Sequence, residues 1–268
     1  ASHRAGITRQ ETNVAGLYLR SGGTGGTTYL LLHGLGATGE VWDGLVDLIE
    51  RNKAGRWLAP DFRGHGRSPW EKPYTYVALM ADLIPLINEA GRLVVVGHSM
   101  GGVVGLMLGG ALPNVDRVLG VGIKVSWNET ELEQMQALST RPVRWWATQA
   151  EAVERYLKVS GLMGLVNPDS PTAQCGVMAG DDGQYRLAAD PEIYAIGRPP
   201  AAELVQAARC EVMLACGEHD KMVDAGELSA LDAAARQLPS LGHNAQVEGP
   251  EQIWLLVNEP LENNKEFS

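Results

Sequence analysis

Short apolar runs set the rhythm of this chain. Residues 28–32, 93–96, 117–121 and 211–216 are four to six residues long and nearly continuous in apolar character. Runs of that length fit strands better than helices, and continuity in place of alternation predicts burial on both faces. Residues 14–19 and 56–60 read as further strands, with 14–19 and 28–32 arranged around a glycine-rich turn. Between them, residues 41–50, 102–112 and 251–257 read as helices. Residues 74–90 read as mostly helical, with Pro85 expected to kink the helix. Buried strands alternating with helices predict one α/β domain: a mostly parallel central sheet flanked by helices.

The alternation stops between residues 126 and 200. Residues 129–139, 147–159 and 171–178 look helical, with no buried strand between them, and Gly161, Gly164, Pro168 and Pro171 punctuate the stretch. A further helix, 201–208, leads back into the strand at 211–216. The expected organisation is a core of residues 1–125 and 201–268, with 126–200 as a helical lid (cap) inserted after the sixth strand. Long insertions are tolerated energetically and often cover sites. Trp127, Trp145, Trp146, Tyr156, Tyr185 and Tyr194 lie in this stretch. They read either as the lid's own small core or as the wall of an apolar pocket for acyl or ring-bearing substrates. Lys124, which closes the sixth strand, either projects toward such a pocket and favours anions or snorkels at the surface.

Composition narrows the classes. The 268 residues suffice for a sizeable core, and 22 basic against 32 acidic residues give a formal net charge of −10. That balance, with no basic cluster, argues against a nucleic-acid surface. No apolar run approaches the roughly 20 residues of a membrane span. Residues 1–13 are polar and lack a secretory apolar core. Cys175, Cys210 and Cys216 are odd in number and lack metal-like spacing, so a reducing, cytoplasmic location is expected. The expected partner is a small molecule with an apolar acyl or ring portion. Nucleic acid and membrane are not expected partners, and the oligomeric state stays open.

The chemistry concentrates at Gly97-His98-Ser99-Met100-Gly101, between the strand at 93–96 and the helix at 102–112. A serine hydroxyl becomes a useful nucleophile when it is exposed beside a base. A sharp strand-to-helix turn exposes it, and that turn admits only small residues two before and two after the serine. Beyond this helix the histidines are His219, next to Asp220, and His243, on a turn before Glu248-Gly249-Pro250. His219 is too close along the chain to be oriented by Asp220 from a separate loop. His243 is therefore the candidate base. Asp220 is the candidate orienting acid, with Glu218 and Asp224 as rivals.

Five segments together resemble the α/β-hydrolase fold superfamily, in its lid-bearing serine esterase or lactonase-like branch. They are His33-Gly34-Leu35-Gly36, Asp61-Phe62-Arg63-Gly64-His65-Gly66-Arg67-Ser68, Gly97 through Gly102, Gly217-Glu218-His219-Asp220, and Gly242-His243 with Glu248 and Pro250. The resemblance implies a catalytic triad of Ser99, Asp220 and His243. It also implies an oxyanion hole of the Leu35 and Met100 backbone N–H groups. Trp127, Trp145, Trp146 and Lys124 are candidate substrate-binding residues. His33 would order the oxyanion loop, His98 would pack or hydrogen-bond beneath the elbow, and Arg63 and His65 would support a turn.

The resemblance specifies machinery more than substrate. A carboxylic-ester or lactone hydrolase leads, followed by a carbon–carbon bond hydrolase of the same fold and a slow-turnover hydrolase-like receptor. Epoxide hydrolases and haloalkane dehalogenases of this fold place aspartate at the elbow, so Ser99 argues against both. Gly34-Leu35-Gly36-Ala37-Thr38-Gly39 also matches a dinucleotide-binding fingerprint, with Asp61 near the place of a ribose-binding acid. His33 before those glycines, and the motif that Asp61 opens, resemble the hydrolases instead. No metal or organic cofactor is implied. Gly22-Gly23-Thr24-Gly25-Gly26 lacks a phosphate-loop lysine and reads as a turn.

Overall fold

Eight strands form one sheet in the computed structural model, which describes residues 9–260. Six precede the insertion: β1 (Gln10–Val14), β2 (Leu17–Gly23), β3 (Thr27–Leu32), β4 (Arg56–Pro60), β5 (Arg92–His98) and β6 (Val115–Val121). The insertion carries β7 (Trp145–Trp146), β8 (Val177–Ala179) and β9 (Tyr185–Leu187), and the core resumes with β10 (Glu211–Gly217) and β11 (Arg236–Leu238). The main sheet runs β1-β2-β4-β3-β5-β6-β10-β11. From β4 to β11 every pairing is parallel, while β2 pairs antiparallel with both neighbours.

The helices are α1 (Asp43–Arg51), α2 (Tyr76–Ile87), α3 (Met100–Ala111), α4 (Glu129–Ser139), α5 (Gln149–Val159), α6 (Pro171–Gln174), α7 (Ala201–Ala207), α8 (Ala225–Leu231), α9 (Ala245–Glu248) and α10 (Pro250–Val257). Strand periodicity divides the core in two. Leu31, Val94, Val96, Leu119 and Ala215 face Leu45, Val46 and Ile49 of α1 and Ile253 of α10. Their alternates Leu30, Leu32, Val95, Val118 and Leu214 face Leu79 and Leu83 of α2 and Val103 and Val104 of α3. Full burial of each aliphatic side chain contributes about 1.5–3 kcal/mol, which is why the strands carry apolar residues at both parities.

Three details depart from the sequence expectation. Residues 14–19 are not one strand: Ala15 and Gly16, both at positive φ (50° and 87°), turn β1 back on β2 as a two-residue hairpin. The helix expected over 74–90 is shorter at both ends, since α2 spans Tyr76–Ile87 with Pro85 inside its last turn. The stretch 126–200 is not purely helical, since β7, β9 and β8 pair there as a small antiparallel sheet. Strands of two or three residues are too short to show alternation in a sequence. The insertion docks through α5, whose Ala152, Val153, Tyr156 and Leu157 are buried and continuous with the α1 side of the core.

Candidate active site

Parallel strands end at one rim, so the loops that follow them meet there. Leu32 at the end of β3 stands opposite Gly97, and His98 at the end of β5 stands opposite Val121 of β6. Ser99 follows at once with φ 49° and ψ −115°, a conformation that non-glycine residues rarely adopt and that costs about 1–3 kcal/mol. Its N–H donates to the Val121 carbonyl at 2.8 Å, and its own carbonyl accepts from Gly102 and Val103 in the first turn of α3. Tight packing holds this turn: a Cβ on Gly101 would lie 2.6 Å from the His33 carbonyl oxygen and closer still to that of Leu32.

The loops after β10 and β11 are stitched together. Glu218 and His219 donate backbone N–H groups to the carbonyls of Leu238 and Leu241, at 2.9 and 2.7 Å. Glu248 accepts the Gly242 N–H at 2.7 Å and so fixes the turn carrying His243. As a result His243 Nδ1 donates to Asp220 Oδ2 at 2.8 Å. The other oxygen, Asp220 Oδ1, accepts from the N–H groups of Met222 (2.8 Å) and Val223 (3.2 Å). Burial opposes ionisation of Asp220, yet the His243 hydrogen bond and these two amides hold its carboxyl below the usual range. The rivals face elsewhere: Glu218 accepts the Ser240 N–H and Asp224 caps α8.

His98 joins the two halves of the site. Its Nε2 donates to the His243 carbonyl at 2.9 Å, and the two rings lie edge-on with centroids 4.8 Å apart. Gly122, at φ 66°, leaves room for both: a Cβ there would sit 3.3 Å from each ring. Ser99 shares this rim, although no hydrogen bond joins its hydroxyl to His243 among the described residues.

Two buried histidines shape the loop after β3. His33 Nε2 accepts the Phe62 N–H at 3.0 Å, and its Nδ1 donates to the Gly34 carbonyl. His65 Nε2 accepts the Gly36 N–H at 3.0 Å, and its Nδ1 donates to the Arg63 carbonyl. Both rings must be neutral to accept these bonds, and burial drives both well below the ordinary imidazole range. The loop itself approaches the elbow closely, since a Cβ on Gly34 would stand 3.4 Å from that of Ser99. Among the described residues, the Leu35 and Met100 amides have no hydrogen-bond acceptor.

Residues 29–254 match the Alpha/beta hydrolase family. The chain belongs to that family. Lipase LipV of Mycobacterium tuberculosis is 38% identical over 97 residues, which are 35% of this chain and 36% of LipV. The matched stretch thus spans about a third of that curated relative. Among solved structures, the thioesterase domain from the curacin biosynthetic pathway superposes with a TM-score of 0.76 at 20% identity, covering 94% of this chain and 99% of that one. The M. tuberculosis esterase Rv0045c gives 0.77 at 19% identity, over 94% and 90%. At those identities the two structures speak for the fold alone.

In this alpha/beta hydrolase the dinucleotide-like glycines serve another purpose. The Asp61 side chain is fully buried and accepts the Gly39 N–H at 2.8 Å and the Arg67 N–H at 3.0 Å. Both oxygens are engaged within the fold, which leaves none for a ribose. Among the described residues, no group of three or more His, Cys, Asp or Glu side chains could hold a metal ion.

The candidate substrate residues of the hydrolase fall in separate places, Lys124 and Trp127 together in one cleft and Trp145 and Trp146 apart from it. Lys124 pairs with Glu131 at 2.5 Å and lies over the Trp127 ring at 5.2 Å, so its charge is taken up locally. Trp127 donates to the Lys124 carbonyl, and both residues line one cleft with Asp220. Consecutive strand residues point to opposite faces. Accordingly Trp145 lies over Gly180, 42% exposed, while Trp146 lines a cavity of about 710 Å³ that reaches Gly36. Sequence reading passed over three other residues of that cavity, Arg141, Arg144 and Arg155. Their spacing in the sequence carries no periodic signal, and only the fold brings them together.

Proposed function

We propose that this chain is a serine hydrolase that cleaves a carboxylic ester or lactone through an acyl-enzyme on Ser99. The observation that carries the reading is the 2.8 Å hydrogen bond from His243 to buried Asp220, at the same rim as the strained Ser99 turn. Because Asp220 accepts at Nδ1, the neutral ring of His243 presents Nε2 as a lone pair. In the reaction His243 Nε2 takes the Ser99 proton while the serine oxygen bonds to the carbonyl carbon. The oxyanion that forms is held by the Leu35 and Met100 N–H groups, at about 3–4 kcal/mol each. Collapse breaks the bond to the leaving alkoxide, which receives the proton from the imidazolium. Water then repeats the sequence, with His243 as base, and releases the acid and free Ser99.

In this reading residues 126–200 cover the rim as a lid, and the substrate presents an apolar acyl or ring portion to the Trp146 cavity. The described residues contain no helix long and apolar enough to cross a membrane. The three free cysteines fit a reducing, cytoplasmic setting. The test is Ser99→Ala against p-nitrophenyl butyrate, alongside mass analysis after a fluorophosphonate probe. Loss of turnover and a label on the peptide bearing Ser99 are expected. Undiminished turnover, or a label elsewhere, refutes the assignment. Release of one equivalent of nitrophenol followed by a stall would favour a ligand receptor.

A further inference from the structure

The cavity beside Gly36 has two chemically different ends. Its walls include Leu138, Val143, Trp146 and Tyr194, all apolar or aromatic, and near Gly36 it adjoins the loop that carries the Leu35 amide. Tyr194 marks this end, since a Cβ on Gly36 would lie 3.3 Å from its hydroxyl. The remaining wall carries Arg141, Arg144 and Arg155, and no acidic residue lines the space. Among the described residues, Arg20, Arg63, Arg67 and Arg117 each pair with a carboxylate, while several exposed arginines elsewhere do not; what sets the three cavity arginines apart is that they line one space. Arg141, Arg144 and Arg155 have no carboxylate within 4.0 Å among the described residues. Arg144 is held over the Trp146 ring at 5.1 Å. Three like charges around one apolar space make it attractive to an anion, and guanidinium groups match carboxylate geometry bidentately.

We propose that this cavity seats the acyl chain of a substrate whose far end is a carboxylate, held by Arg141, Arg144 and Arg155. This rests on the serine-hydrolase reading for its orientation: the scissile carbonyl lies toward Leu35 and the carboxylate away from it. Lys124, already paired with Glu131, is not the anion contact. A volume of about 710 Å³ falls within the range of small-molecule sites.

Two measurements test it. The first compares kcat/KM for p-nitrophenyl octanoate with that for the mono-p-nitrophenyl ester of octanedioic acid. The anionic ester is expected to be favoured about tenfold at low ionic strength, with the preference shrinking as salt screens the arginines. In the triple variant Arg141→Gln/Arg144→Gln/Arg155→Gln the ratio should fall to about one. All three side chains are exposed, so melting curves should show the variant folded. The second measurement needs no turnover: octanoate and octan-1-ol are titrated into the protein by calorimetry. Octanoate should bind more tightly, and the triple variant should lose the difference. Equal ratios for wild type and variant, or equal binding of acid and alcohol, overturn the proposal. If Ser99→Ala hydrolyses both esters as fast as wild type, the serine reading fails, and the calorimetric comparison still decides the anion site.

Discussion

Gly101→Ala isolates the geometry of the turn that carries the proposed nucleophile, Ser99, without removing any reactive group. The added methyl would meet the His33 carbonyl oxygen at 2.6 Å and that of Leu32 at a still shorter distance, against an ordinary contact of 3.4 Å or more. Both obstacles are backbone, Leu32 paired with Gly97 of β5 at the end of β3 and His33 next to it, so neither can swing aside. The start of α3 must therefore retreat by about 1 Å, a misplacement large enough to cost about 100-fold in rate. Stability moves less, because two terms oppose each other. Overpacking costs about 1–3 kcal/mol, while replacing a helical glycine by alanine returns about 1 kcal/mol. The net loss of up to about 2 kcal/mol lowers Tm by only a few degrees in a domain of this size. The assay is kcat/KM on p-nitrophenyl butyrate with parallel melting curves. Gly91→Ala serves as control, since its methyl would stand 3.7 Å from the Gly26 carbonyl oxygen, an ordinary contact. A Gly101→Ala protein within twofold of wild type would refute the argument from close packing.

Asp220→Asn should lower kcat by about 10³–10⁴-fold with the fold preserved. The Met222 and Val223 amides keep the side-chain oxygen on their side. The new NH₂ group then faces His243 Nδ1 and drives the proton to Nε2, the atom that accepts from Ser99 in the proposed mechanism. Retention of a tenth or more of wild-type kcat would sink that tautomer argument. A further prediction concerns pH and stability. Burial pushes the His65 and His98 imidazoles down to about 3, from an ordinary value of 6.5. Below 6.5 the unfolded chain binds protons that the folded one refuses, so stability is complete above 6.5 and declines as pH falls toward 3. Each ring contributes a slope of up to about 1.4 kcal/mol per pH unit. Urea unfolding at pH 7.5 and 5.5 should differ by about 2–3 kcal/mol from this pair, and coincident curves would contradict neutral burial.

The parts of the chain that were legible from sequence are those where one physical demand acts on neighbouring residues. Burial on both faces requires apolar residues at both parities, which exposed β3, β5, β6 and β10 as continuous runs. The turn at Ser99 requires small residues two positions to either side, which exposed Gly97 and Gly101. Asp220 was harder, because Glu218 and Asp224 are just as near in the sequence. What selects it is the stitching of Glu218 and His219 to Leu238 and Leu241, a pairing between loops more than 18 residues apart. The same holds for β11 and for β7 to β9, whose two or three residues give no periodicity.

The histidines show how a residue's role follows from its partners more than from its type. His33, His65 and His98 are as reactive in principle as His243, and all lie at or near the same rim. Each of the three spends its ring nitrogens on the backbone or loses them to burial: His33 on Phe62 and Gly34, His65 on Gly36 and Arg63, His98 on the His243 carbonyl. Burial then keeps these rings neutral, which suits them to fix loops and not to carry protons. His243 is partly exposed and gives only Nδ1 to a carboxylate, which leaves Nε2 unpaired for the proton transfer that the proposed mechanism assigns to it. The arginines of the cavity obey the same logic from the opposite side. Lys124 has Glu131 as a partner, whereas among the described residues Arg141, Arg144 and Arg155 have no carboxylate beside them, and in the proposed reading a charge of that kind beside an apolar chamber is what a substrate carboxylate uses.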